Sequence, residues 1–169
     1  MNRVFLMGYM GSGKSSLAKR LANKLDFSFV DLDKLIEERA KMTIAQIFEQ
    51  KGESEFRLIE QQALHSCFKL QNVVIALGGG TPCFFDNMKL IQQNGVGVYL
   101  KMPASALASR LANAKVIRPL IAGMNEFEVL EFIQQQLGER EKYYLGAHLI
   151  INGLSVDIEE LKRSLISLF

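Results

Sequence analysis

The sequence has few cysteines and no block of basic residues, and these absences exclude several classes of protein. Its two cysteines, Cys67 and Cys83, lack the spacing of metal ligands. We therefore expect buried thiols in a reducing compartment, not a disulfide or a zinc site. The 20 lysines and arginines are scattered and the formal net charge is +2, which gives no reason to expect a nucleic acid partner.

The sequence also lacks linkers, repeats and any apolar stretch that approaches the length of a membrane span. Apolar residues near the N-terminus imitate a short signal peptide, but they lead into a glycine-rich loop without a small-residue cleavage site. We interpret them as a strand. For these 169 residues, 49% of them hydrophobic, we expect one monomeric cytoplasmic domain over 1–169 with no membrane partner.

Short β-forming runs alternate with helical patterns along the chain. The predicted strands are 3–7, 27–31, 73–77, 96–100 and 148–151. Most of these runs are continuously apolar, as in parallel strands that are covered on both faces. The clearest helical patterns are 14–25, a helix that opens with the capping box Thr43–Gln46 and stops near Gly52, a helix over 53–70, and a last helix from Ser155. The sequence predicts a doubly wound, three-layer α/β domain with a five-stranded parallel sheet and its ligand at the carboxyl ends of the strands.

Residues 8–15 read Gly-Tyr-Met-Gly-Ser-Gly-Lys-Ser and stand between a predicted strand and a predicted helix. This is the pattern and setting of a P-loop, in which glycines let successive N–H groups turn toward phosphate oxygens. The helix that begins at Lys14 points its positive end at the same anion. Lys14 is placed to reach the terminal phosphates, and the hydroxyl of Ser15 to ligate Mg²⁺.

Two carboxylates, Asp31 and Asp33, follow the second predicted strand. At alternating positions of an extended strand end, both would face the phosphate cleft. One could then support Mg²⁺ while the other accepts a proton from an alcohol. The alternative is a solvated turn in which Asp33 is the N-cap of a helix over 34–40.

Three further features could complete a phosphoryl-transfer site, although each has an ordinary structural explanation on its own. Gly78, Gly79 and Gly80 end the third strand and offer bare backbone to a ligand, or form a flexible turn. Arg57 lies one helical turn before Glu60, which can brace its guanidinium or form a surface ion pair. Arg118 falls in a segment of weak periodicity, about 112–125, that suits a short mobile lid.

A GTPase is excluded by two missing signals. Asn23-Lys24-Leu25-Asp26 matches the guanine-reading motif in letters, but it lies inside the helix that follows the P-loop and cannot reach a base. No Asp-x-x-Gly switch occurs in the sequence.

Taken together, these motifs resemble the shikimate kinase family, in order and spacing, from Val4 to about Ala147. The matching motifs are Gly8-x-x-Gly11-x-Gly13-Lys14-Ser15, Asp31-x-Asp33 followed by Ile36-Glu37, Ile47-Phe48, Gly52-Glu53-x-x-Phe56-Arg57-x-x-Glu60, Gly78-Gly79-Gly80, Arg118-Pro119-Leu120 and Arg140-x-x-x-Tyr144.

The resemblance implies transfer of the γ-phosphoryl of Mg·ATP to the 3-hydroxyl of shikimate, a step toward chorismate and the aromatic amino acids. It implies catalytic roles for Lys14, Asp33 and Arg118, with Asp33 as the base. It also implies three binding sets: ATP at Gly11, Ser12, Gly13, Lys14, Ser15, Ser16 and Arg118; shikimate at Asp33, Phe48, Phe56, Arg57, Gly78, Gly79, Gly80 and Arg140; and Mg²⁺ at Ser15 and Asp31. The implied substrate-binding helices are at about 33–60. Arg110 lies one position further from Arg118 than the family pattern has it, so we assign it no adenine contact.

Two other functions remain open from the residues alone. A gluconate kinase or a nucleoside monophosphate kinase shares the P-loop, and two arginines could clamp a nucleotide phosphate as well as a carboxylate. A nucleotide-binding module without catalysis is disfavoured, because a pure sensor needs no acid on the acceptor side.

Overall fold

The computed structural model describes residues 2–114 and 121–169. Five parallel strands form one sheet: β1 (Arg3–Met7), β2 (Ser28–Asp31), β3 (Val73–Ala76), β4 (Val96–Lys101) and β5 (Leu149–Asn152). The strand order is β2-β3-β1-β4-β5. All five predicted strands are therefore confirmed, with ends that differ from the prediction by at most one residue.

Seven helices connect and cover the strands in the described residues. They are α1 (Lys14–Leu25), α2 (Leu32–Ala40), α3 (Ile44–Cys67), α4 (Asn87–Asn94), α5 (Ala104–Ala112), α6 (Glu126–Tyr144) and α7 (Ile158–Ile166), with a 3₁₀ turn at Thr81–Cys83. None of the helices in this part of the chain is long and apolar enough to cross a membrane.

Side chains of the three central strands, β3, β1 and β4, alternate between two apolar cores. Phe5 and Met7 of β1 point to the face covered by α2, α3, α4 and α6. Val4 and Leu6 point to the opposite face, where α1 and α7 pack. Because both faces are covered, the strands can be apolar without interruption. The doubly wound three-layer prediction is confirmed.

Helix α3 contains a break at Gly52, whose φ of 78° and ψ of 173° are not helical. The Thr43 hydroxyl accepts from the Gln46 N–H and the Gln46 side chain accepts from the Thr43 N–H, so the predicted capping box is confirmed. The break also confirms that one helical segment ends near Gly52 and a second begins after it. The second segment ends at Cys67, before the predicted residue 70.

The strand order brings three loops together at one edge of the sheet. The P-loop follows β1, Asp31 ends β2, and Gly78–Gly80 follow β3, which lies between those two strands. In parallel strands the carboxyl ends share one edge, so these loops are neighbours although they are distant in sequence. Arg118 and the centre of the predicted lid lie outside the described residues.

Candidate active site

The P-loop has the backbone that its glycines predict. Gly11 and Gly13 have φ of 80° and 92°, in the left-handed region that other residues avoid, and Gly13 is the N-cap of α1. The Lys14 ammonium donates a hydrogen bond to the Tyr9 carbonyl over 2.9 Å, which holds it against the loop. The Ser12 hydroxyl is buried and has no hydrogen-bond partner among the described residues. A buried hydroxyl of this kind is a group that a phosphate oxygen can satisfy.

Ser15 and Asp31 are in direct contact. The Ser15 hydroxyl donates to Asp31 Oδ2 over 2.7 Å, and Asp31 Oδ1 accepts from the Lys34 N–H over 3.3 Å. Asp31 is thus the N-cap of α2. The Asp33 N-cap alternative is therefore wrong, because Asp33 lies within the first turn of α2.

The reasoning that placed Asp33 on an extended strand end is also wrong, because the helix begins at Leu32. Asp33 nevertheless reaches the same edge of the sheet, from the helix. A Cβ at Gly78 would lie only 2.8 Å from Asp33 Oδ1 and 3.0 Å from both Glu60 Oε1 and Thr81 Oγ1. The lack of a side chain at Gly78 therefore makes room for the Asp33 carboxylate.

Gly79 lies between the P-loop and α6. A Cβ at Gly79 would be 3.6 Å from the Arg140 Nη1, the Gly8 carbonyl oxygen and the Met10 nitrogen. The Tyr144 hydroxyl, on α6, donates to the Gly79 carbonyl. Burial raises the pKa of Tyr144, so the phenol stays protonated and keeps this bond.

Arg57 is a buried cation held by two carboxylates of its own helix. Its Nη1 donates to Glu60 Oε2 over 2.8 Å, and its Nε and Nη2 donate to Glu53 Oε1 over 3.3 and 3.1 Å. The side chain of Glu60 is only 2% exposed, so this is an interior pair and not the surface ion pair of the alternative reading. The predicted contact between Arg57 and Glu60 is confirmed.

Gly80 lies against the same guanidinium. A Cβ at Gly80 would be 2.7 Å from Nη1 and 2.8 Å from Nη2 of Arg57. Three successive glycines after β3 therefore each lie beside one charged side chain. Gly78 lies beside Asp33, Gly79 beside Arg140 and Gly80 beside Arg57. Arg140 also stacks over Tyr9, with its Cζ 5.6 Å from the ring centroid.

Two phenylalanines flank this cluster. The ring centroids of Phe48 and Phe56 are 4.5 Å apart. Phe56 is buried, whereas Phe48 is 36% exposed. The pair forms an apolar wall beside Arg57, whose Cζ is 5.1 Å from the Phe56 centroid.

Four residues at this site were missed by sequence reasoning or given no role. Arg110 donates to the Ser12 carbonyl over 3.1 Å, so it supports the P-loop. Tyr144 was noted only as the last residue of the motif Arg140-x-x-x-Tyr144, and its place on the same helix face as Arg140 did not predict a role for its hydroxyl. Thr81 and Phe84 carry no signal in the sequence, because their contacts with Glu60 and Arg57 depend on how β3 packs against α3.

The oxygen atoms of Ser15 and Asp31 fit a magnesium ion better than a transition metal. Mg²⁺ binds through one or two protein oxygens and completes its shell with water and substrate phosphates. In the described residues there is no group of three or more histidine, cysteine, aspartate or glutamate side chains that could hold a metal ion by itself. A nucleotide phosphate beside Ser15 would supply the oxygens that such a site needs.

The chain is similar in sequence to proteins of one known family. The sequence model of the shikimate kinase family matches residues 10–166. A protein from Bacteroides thetaiotaomicron named shikimate kinase is 43% identical over 90% of this chain and 87% of its own length.

Two solved structures are also similar. A 1.7 Å crystal structure of shikimate kinase from Bacteroides thetaiotaomicron has a TM-score of 0.91 and 40% identity, and covers 99% of this chain and 97% of that one. Shikimate kinase from Acinetobacter baumannii in complex with shikimate has a TM-score of 0.84 and 31% identity, over 99% of this chain and 92% of that one.

Proposed function

The chain belongs to the shikimate kinase family, and from that membership we propose how its residues divide the work of the reaction. The enzyme is an ATP-dependent phosphotransferase. It transfers the γ-phosphoryl group to the 3-hydroxyl of shikimate, giving shikimate 3-phosphate and ADP, on the route to chorismate and the aromatic amino acids.

The P-loop binds the nucleotide in this proposal. Backbone N–H groups of Gly11, Ser12 and Gly13 face the phosphates, and Lys14 leaves the Tyr9 carbonyl to contact their oxygens. The unpartnered hydroxyl of Ser12 supports this assignment. Ser16 also belongs to the predicted ATP set, and Arg118 remains a sequence prediction for the phosphates and the lid.

Ser15 and Asp31 hold the magnesium ion that accompanies ATP. Bound there, the ion would offset negative charge on the phosphates. The 2.7 Å bond between the two side chains supports the assignment, because it places a hydroxyl and a carboxylate oxygen side by side at the start of α1.

Shikimate lies over the glycine triplet, and the observation that carries this proposal is the placement of groups around it. The Asp33 carboxylate borders Gly78, while Arg140 and Arg57 border Gly79 and Gly80. One end of a small acid can therefore contact a carboxylate while its other end contacts two guanidinium groups. Phe48 and Phe56 supply an apolar wall for its ring.

The arginines select the carboxylate end of the substrate. A guanidinium can donate two parallel hydrogen bonds to a carboxylate, which fixes its orientation as well as its charge. When the arginines hold the carboxylate of shikimate, the opposite end of the molecule, which carries the hydroxyls, lies at Asp33.

Asp33 acts as the base. A carboxylate oxygen accepts the proton of the 3-hydroxyl as the oxygen of that group forms its bond to the γ-phosphorus and the bond to ADP breaks. A carboxylate beside the acceptor suits a neutral alcohol and repels an acceptor that is itself a phosphate, which disfavours nucleoside monophosphates. Most of the rate then comes from alignment and charge stabilisation, since phosphoryl transfer gives a protein little covalent work.

The test is ADP release by the purified protein with Mg·ATP and a panel of shikimate, gluconate and AMP. We expect release that depends on shikimate alone and disappears in Lys14→Ala. Turnover with gluconate or AMP but not with shikimate would show that the phosphoryl acceptor is a different molecule. No turnover with any of the three would indicate a nucleotide-binding module. A monomeric state and a cytoplasmic location stay predictions from the sequence.

A further inference from the structure

Hydrogen bonds constrain the edges of the Arg57 guanidinium. The group has five N–H donors. Glu53 takes one from Nε and one from Nη2, and Glu60 takes one from Nη1. Among the described contacts, one N–H on Nη1 and one on Nη2 remain for a ligand, and two such donors are what a bidentate carboxylate requires.

The ring of Phe84 contacts the face of the Arg57 guanidinium. The Cζ of Arg57 lies 3.9 Å from the centroid of the Phe84 ring, which is a close stacking distance. The other ring near this guanidinium, that of Phe56, is further away, at 5.1 Å. Stacking acts through the π face and uses no N–H donor, so it supports the guanidinium without competing with a ligand for its edge.

From this arrangement, and on the premise of the function proposed above, we propose that Phe84 is a positioning residue for substrate binding. Its ring holds the guanidinium of Arg57 in the orientation that presents the two remaining donors to the substrate carboxylate. Phe84 acts through Arg57 and has no role at the nucleotide phosphates.

The backbone around Phe84 is built to hold it in place. Phe84 directly follows the 3₁₀ turn Thr81–Cys83, in which Thr81 is fully buried and donates to Glu60 Oε1 over 2.6 Å. Asn87, also fully buried, donates to the Thr81 carbonyl over 2.9 Å. The Phe84 ring and the Arg57 edge are thus fixed by one connected set of contacts, because Glu60 binds both Thr81 and Arg57.

The chain offers a matched control at the next position. Phe85 has the same side chain but is 55% exposed, whereas Phe84 is half-buried against Arg57. We expect Phe84→Leu to raise the KM for shikimate by about 3- to 30-fold, the effect of losing one cation–π contact. The KM for ATP should change less than about twofold, because Phe84 contacts the face of the Arg57 guanidinium and not the P-loop. Phe85→Leu should change neither constant.

Three comparisons decide the proposal. Phe84→Tyr keeps an aromatic ring that can stack on Arg57, so its KM for shikimate should stay near the wild-type value. An unchanged shikimate KM in Phe84→Leu, or an equal rise in both KM values, would overturn the proposal. If Phe84→Leu lacks a cooperative thermal transition, Phe84→Met replaces it, since a thioether fills space without a stacking face.

The proposed function is tested separately from this inference. Wild-type protein that releases no ADP with shikimate would refute the proposed function itself. Wild-type turnover with no effect of the Phe84 variants on the shikimate KM would refute only the positioning role.

Discussion

Gly80 lies against the Arg57 guanidinium so closely that a Cβ at Gly80 would be 2.7 Å from Nη1 and 2.8 Å from Nη2. Contacts this short force one of the two groups to move. Because Arg57 is buried between Glu53, Glu60 and Phe84, it has little room to shift without losing those contacts.

Gly80→Ala should therefore impair substrate binding. We expect the KM for shikimate to rise by about 10- to 100-fold, the cost of a small misplacement of a positioning group, while the KM for ATP stays near its wild-type value. Gly138→Ala is the control, because a Cβ there meets no atom within 4 Å. That change lies in α6 and should stabilise the protein by about 0.5–1 kcal/mol, measured by denaturant unfolding. Equal kinetics in the two variants would show that the Gly80 contact is unimportant.

Asp31→Asn separates two roles of one side chain. Asparagine is as good an N-cap as aspartate, so the cap on α2 and the stability of the protein should be kept. The charge beside Ser15 is lost, and the MgCl₂ concentration for half-maximal activity should rise by about 10-fold or more. Titration of MgCl₂ at fixed ATP measures this. An unchanged half-saturation point would leave Asp31 as a helix cap only.

Asp33→Asn removes the proposed base with little change in shape. We expect kcat to fall by about 10²–10⁴-fold, the usual contribution of general base catalysis, with little change in the KM for ATP. Asp26→Asn is the control, because Asp26 is exposed at the far end of α1 in a left-handed conformation that asparagine tolerates. A kcat near the wild-type value in Asp33→Asn would remove the base assignment.

Cys83 should behave as an unreactive thiol. Burial raises its pKa from 9.0 to about 11, although Arg140 and Arg57 nearby act in the opposite direction. The thiolate is the reactive form, so at pH 8 its alkylation by iodoacetamide should be about a hundredfold slower than that of a thiol with a pKa of 9. The rate should rise about tenfold for each pH unit up to pH 10. Cys83→Ser identifies the signal, and a rate that levels off below pH 9 would contradict the raised pKa.

Local signals in the sequence predicted most of the fold. The strand runs are apolar because both faces of the sheet are covered, and this burial is visible without any tertiary information. The P-loop was equally clear, since its glycines, lysine and serine act within eight consecutive residues. Gly52 marked the break in α3 for the same reason, because a conformation with φ of 78° favours glycine.

The site could be predicted less completely, because it depends on which strands are neighbours. The spacing of Asp31 and Asp33 suggested one extended segment. Helix α2 instead begins between them, at Leu32, because the Asp31 side chain caps its N-terminus. The Thr81 bond to Glu60 and the Phe84 stack on Arg57 join segments that only the packing of β3 against α3 brings together. Neither pair has a spacing that sequence reasoning could recognise.

The most direct test of the site is steady-state kinetics of Arg57→Lys. Lysine keeps the positive charge but cannot donate two parallel hydrogen bonds in one plane. We predict a KM for shikimate at least about tenfold above wild type, with a nearly unchanged KM for ATP. A shikimate KM equal to that of the wild type would contradict the carboxylate clamp on which the proposed site depends.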